Sequence, residues 1–151
     1  MRLVVSNDGP AASVFSRILF DGSILSSVVA IDDSPPDVDF ETASPGVLPG
    51  GNGNPYQFTT DLEVAAANPM PHRGIGPGES LTVDLAIAPG FDFADVVAAL
   101  TDGSLRIGMH VQSFASGGSE SVLNVPVPEP GTLALLGLGL CAIVRIGSRR
   151  A

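Results

Sequence analysis

The stretch "ESLTVDLAIAPGFDFADVVAALTDGSLRIGMHVQSF", residues 79–114, decides the fold. Large apolar residues alternate with small or polar ones in its first ten positions and again over residues 104–114. A period of two predicts two strands, each with one buried face. The residues predicted to form these faces are Leu81, Val83, Leu85 and Ile87 in the first strand and Leu105, Ile107, Met109 and Val111 in the second. His110 falls on the opposite face, beside Arg106 and Gln112.

A short helix is predicted between these two strands, over residues 94–101. Asp92 is a suitable N-cap, and Asp95 lies in the first turn, where a negative charge is favourable. Gly103 is a suitable C-terminal stop. The residues spaced to cover one side of this helix are Val96, Val97 and Leu100.

Outward from this stretch, short apolar and β-branched runs predict further strands at residues 2–6, 14–20, 24–31, 38–41, 57–66 and 120–125. Asp-Gly-Ser at residues 21–23 predicts a tight hairpin turn that pairs residues 14–20 with residues 24–31. Residues 43–55 and 68–78 are predicted loops, and residues 116–121 a hairpin loop. The predicted fold is mainly β: an antiparallel β-sandwich with one short helix, followed by a C-terminal hydrophobic helix.

The charge of the chain is unevenly distributed. Sixteen acidic residues and seven arginines, with no lysine, give a net charge of −9. The first 127 residues hold 15 of the acids and four of the arginines, a charge of −11, and the remaining 24 residues carry +2. An acidic body repels phosphate backbones, so nucleic acid is excluded as a partner. The one cysteine is Cys141, and the body therefore has no disulfide and no thiol site.

The sequence offers few candidates for chemistry. A hydrolase would need one of the two histidines, His72 or His110, to meet a carboxylate and a serine in a pocket. No nucleophile elbow, phosphate-binding loop or zinc-binding motif is present in the sequence. We therefore predict no enzymatic activity, no cofactor and no metal site. A calcium-binding loop stays open as an alternative, although the spacing matches no EF-hand, for a run of five acids: Asp32, Asp33, Asp37, Asp39 and Glu41.

The last 27 residues carry three signals in order. The first is "VPVPEP", residues 125–130, where three prolines keep the chain extended and accessible. An apolar run and then three arginines follow. A helix from residue 133 to residue 148 would span about 24 Å, short of a hydrocarbon core of roughly 30 Å. The alternative, a buried C-terminal helix of a soluble protein, would require an amphipathic pattern that this run lacks.

The apolar run is the predicted membrane segment, and the arginines after it are expected to stay on the cytoplasmic side. The segment consists of Leu133, Ala134, Leu135, Leu136, Gly137, Leu138, Gly139, Leu140, Cys141, Ala142, Ile143 and Val144. The basic cluster consists of Arg145, Arg149 and Arg150.

This order of a Pro-Glu-Pro triplet, an apolar segment and arginines at a C-terminus resembles the PEP-CTERM sorting domain. The matching sorting motif is Val127, Pro128, Glu129 and Pro130. The resemblance implies that an exosortase, a membrane-embedded cysteine transpeptidase or protease of Gram-negative bacteria, recognises the tail and releases or transfers the protein at the cell surface. It also implies an exopolysaccharide and biofilm setting, with exopolysaccharide as a partner. Arg145 interrupts the apolar stretch early, which departs from the family pattern.

The body, above all residues 76–124, resembles the ectodomains that precede this tail, a group without assigned chemistry. We divide the chain into a β-sandwich ectodomain, residues 1–124, and a sorting and anchor tail, residues 125–151, and we expect a signal peptide missing from the front. The predicted protein is exported, anchored in the inner membrane by its tail before processing, and then structural or adhesive at the cell surface or outside the cell. The alternative is a secreted carbohydrate- or calcium-binding module released after tail cleavage, with Tyr56 as the residue able to stack on a sugar.

Overall fold

The computed structural model describes residues 1–9, 12–34, 36–50, 57–70, 72–113 and 117–124. These residues form eight strands and one helix. The elements are β1 (Arg2–Ser6), β2 (Val14–Asp21), β3 (Leu25–Asp32), β4 (Phe40–Ala43), β5 (Leu62–Ala66), β6 (Ser80–Ile87), α1 (Phe93–Asp102), β7 (Arg106–Gln112) and β8 (Ser119–Leu123). The predicted mainly-β fold is confirmed, whereas the predicted C-terminal helix lies outside the described residues.

The strands form two antiparallel sheets around a common core. The three-stranded sheet has the order β1-β6-β3, and the five-stranded sheet has the order β4-β5-β2-β7-β8. Leu81, Val83 and Leu85 of β6 are buried as their alternation predicts, and they belong to the same hydrophobic cluster as Ile18 and Phe20 of β2. Each such side chain contributes about 1.5–3 kcal/mol by leaving water.

The helix α1 confirms the predicted caps. The Asp92 carboxylate accepts from the backbone N–H of Ala94 and of Asp95, and the Asp95 carboxylate accepts from the Asp92 N–H in return. The helix ends at Gly103, whose φ of +84° suits glycine. Val96 is buried as predicted, but Val97 is exposed. Ala99 is buried in place of Val97, because Ala99 lies three residues after Val96 and therefore on the same face of the helix.

The predicted hairpin between β2 and β3 is wrong. Strand β2 pairs with β5 and β7, whereas β3 pairs with β6 in the other sheet. The residues at the turn therefore carry the chain from one sheet to the other. Gly22 has a φ of +146°, and a Cβ there would lie 2.6 Å from the carbonyl oxygen of Ser104. Both edges of β2 are already hydrogen-bonded, which leaves no ladder for β3 to join.

Three element boundaries also differ from the prediction. β4 spans Phe40–Ala43, and β5 begins at Leu62 because the residues before it bond to the end of β2. The Thr59 N–H donates to Asp21 Oδ2 at 3.0 Å, and the Asp61 N–H donates to the Phe20 carbonyl at 2.8 Å. β8 begins at Ser119, so half of the predicted loop at residues 116–121 belongs to a strand.

Loop segments of the same chain pack on the outer face of the five-stranded sheet and shield much of it from solvent. Residues 44–50 and 57–61, here called the cover segment, bring Leu48 and Phe58 onto Leu19 of β2, and all three side chains are buried. Gly108 of β7 makes this approach possible, since a Cβ there would lie 2.8 Å from Leu48 Cδ2. The three central strands, β2, β5 and β7, are thereby covered on both faces, which the sequence alternation alone does not predict.

Candidate functional site

An ion pair with a buried carboxylate and a partly exposed guanidinium lies under the cover segment. Arg17 Nε of β2 contacts Glu63 Oε1 of β5 at 2.7 Å, and the Glu63 side chain is 2% exposed. The second carboxylate oxygen accepts from the Gly46 N–H at 2.8 Å, and Arg17 Nη1 donates to the Val47 carbonyl at 3.3 Å. The pair thus neutralises its own charge and fastens the cover segment to the sheet.

A second ion pair holds the other end of the same segment. The guanidinium of Arg106 in β7 bonds to the carboxylate of Asp21 in β2, and its Nη2 also donates to the Gln57 carbonyl at 3.0 Å. The Arg106 guanidinium carbon lies 5.6 Å from the centre of the Phe58 ring, within the range of a cation–π contact. The face predicted for Arg106 and His110 is therefore polar and largely covered.

His110 lies on this covered face, between Arg17 of β2 and Ser121 of β8 in the strand register. The side chain is only 6% exposed, and its Nδ1 lies 3.2 Å from Ser121 Oγ. Burial lowers the pKa of His110 below 6.5, and the positive charge of Arg17 lowers it further. The imidazole is consequently neutral at pH 7.

The histidine–serine contact is half of the constellation that a hydrolase needs. His72 is exposed and does not join it. The pair borders a depression of about 370 Å³ between Pro49, Gly50 and β8. Glu120 approaches His110 through its backbone rather than its carboxylate. Within the described residues no carboxylate is hydrogen-bonded to this imidazole, so the group that would orient a catalytic base is missing there.

The acidic run serves the turn between β3 and β4. The Asp33 carboxylate accepts from the Phe40 N–H at 3.1 Å, and the Ser34 hydroxyl bonds to Asp32. Asp39 uses its backbone, donating to the Arg73 carbonyl at 3.0 Å. In the described parts of the chain, no three residues among His, Cys, Asp and Glu are grouped as a metal ion would require.

Two surface concavities were not anticipated from the sequence. The smaller, about 290 Å³, joins the half-exposed ring of Phe91 to polar groups at the end of the sandwich. The polar residues that line it are Ser23, Asp95, Asp102 and Ser104. The signal that could have revealed it is "FDF" at residues 91–93, where two aromatic rings flank the helix N-cap.

The larger concavity is an apolar groove of about 530 Å³ between β1 of one sheet and β7 and β8 of the other. We call it the β1–β8 groove. The residues that line it are Leu3, Val4, Val5, Ser6, Ile107, Met109, Val122, Leu123 and Asn124. No sequence pattern could have found it, because it depends on which strand belongs to which sheet.

The predicted tail residues lie outside the described residues. This holds for the sorting motif Val127–Pro130, for the apolar segment at residues 133–144 and for Arg145, Arg149 and Arg150. In the parts of the chain that the structure describes, no helix has both the length and the apolar character needed to cross a membrane.

Comparison with known proteins bears on this tail. A family model of the PEP-CTERM protein-sorting motif matches residues 126–151, a range that includes the triplet, the apolar segment and all three arginines. No curated protein and no solved structure matches the chain significantly. The resemblance stated for the C-terminus is confirmed, and the signal implies an exported protein that an exosortase recognises.

We expect the Glu63→Gln variant to lose about 2 kcal/mol of unfolding free energy, because it removes the buried carboxylate charge that pairs with the Arg17 guanidinium, whose side chain is 21% exposed. The measurement is urea denaturation of the full chain, which reports the unfolding of the domain formed by residues 1–124. The matched control is Asp84→Asn, which breaks the exposed Arg2–Asp84 pair (side chains 69% and 33% exposed) and should cost less than about 1 kcal/mol. Equal losses in the two variants would show that the pair under the cover segment is not a structural requirement.

We expect His110 to make the fold less stable below pH 6.5. Because its folded-state pKa lies below 6.5, the unfolded chain binds more protons between the two values. This contribution to stability is therefore complete above pH 6.5 and is lost as the pH falls toward the folded-state pKa.

The measurement is the denaturation midpoint at several values between pH 7.5 and pH 5.5, beside an NMR titration of the imidazole signals. A His72→Gln variant assigns the two signals. In His110→Gln the slope of stability against pH should flatten; an unchanged slope would contradict the assignment.

Proposed function

Because this chain carries a PEP-CTERM protein-sorting motif, we propose that it is a surface or matrix protein whose tail an exosortase processes and whose body has a structural or adhesive role. The observation that carries the proposal is the match over residues 126–151. Export and recognition by an exosortase follow from that motif. The adhesive role, and the biofilm and exopolysaccharide setting, are the proposed part.

The tail supports a definite order of events. The apolar segment at residues 133–144 enters the inner membrane, and the basic cluster holds its end on the cytoplasmic side, as positive charges do. The Pro-Glu-Pro triplet then stands outside the membrane, extended by its prolines and open to the processing enzyme. Cleavage near it separates the body from the anchor, and the body reaches the cell surface or the matrix.

The polar groups of the body support a role without catalysis. The two largely covered ion pairs fasten the cover segment, and Asp33 of the acidic run holds a turn. The His110–Ser121 contact has no carboxylate hydrogen-bonded to its imidazole within the described residues. The ion pairs and Asp33 thus have structural roles that account for their positions, which supports a body that acts through its surface.

We expect the mature protein from its native host to end near Pro128–Pro130, because the exosortase removes the apolar tail. The measurement is the intact mass of the exported protein and of its C-terminal peptide. A Glu129→Gln variant should keep the tail, whereas the control Pro126→Ala, outside the triplet, should be processed. A native chain that is intact through Ala151 would overturn the proposal and leave a permanent anchor.

A second candidate function is favoured by the concavity at Phe91. Its half-exposed ring can stack on the apolar face of a sugar, and the carboxylates and hydroxyls beside it can accept and donate hydrogen bonds to sugar hydroxyls. The body would then be a carbohydrate-binding module. Phe91 is thus a candidate for sugar stacking in addition to Tyr56, which lies outside the described residues.

We expect Phe91→Ala to weaken binding of the host's isolated exopolysaccharide at least tenfold in calorimetry if this candidate is right. The matched control is Phe93→Ala, since Phe93 is exposed but does not line the concavity. Equal affinity of both variants and the native chain would remove the candidate site.

A further inference from the structure

The β1–β8 groove exists because the two sheets differ in width. The three-stranded sheet ends at β1, which is paired only with β6 in the described residues. The five-stranded sheet extends past it to β8, so that no described strand lies above the inward-facing side chains at this edge. Ile107 and Met109 are only half-buried there, and Val122 is 43% exposed. An apolar channel of about 530 Å³ is large enough to take several side chains.

The chain leaves the described domain at the rim of this groove. Asn124, the last described residue, and Ile107 both line the groove. The two residues are hydrogen-bonded to each other. The Asn124 N–H donates to the Ile107 carbonyl at 3.1 Å, and the Asn124 side chain accepts from the Ile107 N–H. The start of the tail is therefore fixed beside the groove.

The tail that follows has the composition and the reach to occupy it. Eight residues, 125–132, separate Asn124 from the apolar segment at residues 133–144. A proline-rich spacer of that length extends about 25 Å, which is enough to bring the segment back to the groove. We propose that part of this segment docks in the β1–β8 groove before it enters the membrane.

Tethering favours the tail over a second copy of the chain. A segment joined by a short linker has an effective concentration in the millimolar range, far above that of another molecule in dilute solution. Docking removes apolar surface of the tail and of the groove from water together, at about 25 cal/mol per Å². The groove thereby shields the apolar segment from water. The bilayer can bury the whole segment, and so contact with the bilayer releases the segment from the groove. Only this release step rests on the proposed function.

The test uses the one native thiol of the chain, Cys141, in the middle of the tail. A second cysteine is placed at a groove position, by Val4→Cys or Val122→Cys. The matched control is Val29→Cys on β3, an equally exposed valine (66%, against 60% for Val4). β3 lies two strands from β1, roughly 10 Å away, so an undocked tail reaches both sites.

Full chains at low micromolar concentration, in buffer without detergent, are oxidised with glutathione disulfide and analysed by non-reducing mass spectrometry. The tail cysteine is also moved, as Leu135→Cys or Leu138→Cys in a Cys141→Ala chain. A disulfide requires Cα atoms within about 7 Å. For at least one tail position, we expect an intramolecular disulfide to form at least tenfold faster with the groove cysteines than with the Val29→Cys control.

Equal rates at groove and control sites, or no intramolecular disulfide, would overturn the proposal. Disulfides between two chains, at rates that rise with protein concentration, would overturn it in favour of a second copy as occupant. Vesicles of phosphatidylethanolamine and phosphatidylglycerol should suppress the groove disulfide; its persistence would contradict release to the membrane. The assay contains no exosortase. A failure of the docking proposal can therefore be distinguished from a failure of the proposed tail processing.

Discussion

The ion pair between Arg17 and Glu63 is the constraint on which the rest of the body depends. The five-stranded sheet has apolar residues on both faces, and the second face must be covered by chain that has no regular structure. Such chain brings backbone donors and acceptors into a buried place, where each needs a partner. The ion pair supplies two of them, to Gly46 and Val47, and neutralises its own charge. Leu48 and Phe58 can then close over Leu19.

Local sequence predicted the elements of the fold well and their pairing poorly. The alternation in β6 and the Asp92 and Gly103 caps of α1 are properties of a few neighbouring residues, and the structure has them as expected. The hairpin prediction at Gly22 failed because β2 pairs with residues 42 to 98 positions further along the chain, in β5 and β7. Asp-Gly-Ser suits a tight turn and a crossing between sheets equally well, and only the packing of Ser104 against Gly22 distinguishes them.

The functional regions also divide into those that depend on local sequence and those that depend on strand pairing. The sorting motif is a linear signal, in which the order of residues along the chain carries the information, and the sequence was enough to identify it. The β1–β8 groove and the covered face around His110 depend on which strands pair and in which register, because each feature contains residues from strands that are distant in the chain. A histidine that looks available on a strand is buried here because the cover segment, 60 positions earlier, lies over it.

The attachment of the tail to β8 has a mechanical consequence. A pull on the tail enters the described residues at Asn124, and the first described bonds to bear the load are the two that join Asn124 to Ile107. Among the described residues, β8 is hydrogen-bonded along one side only, to β7, and it therefore peels away bond by bond under tension, whereas a central strand must shear many bonds at once. A pull on the tail would therefore loosen this edge long before it disturbed the core.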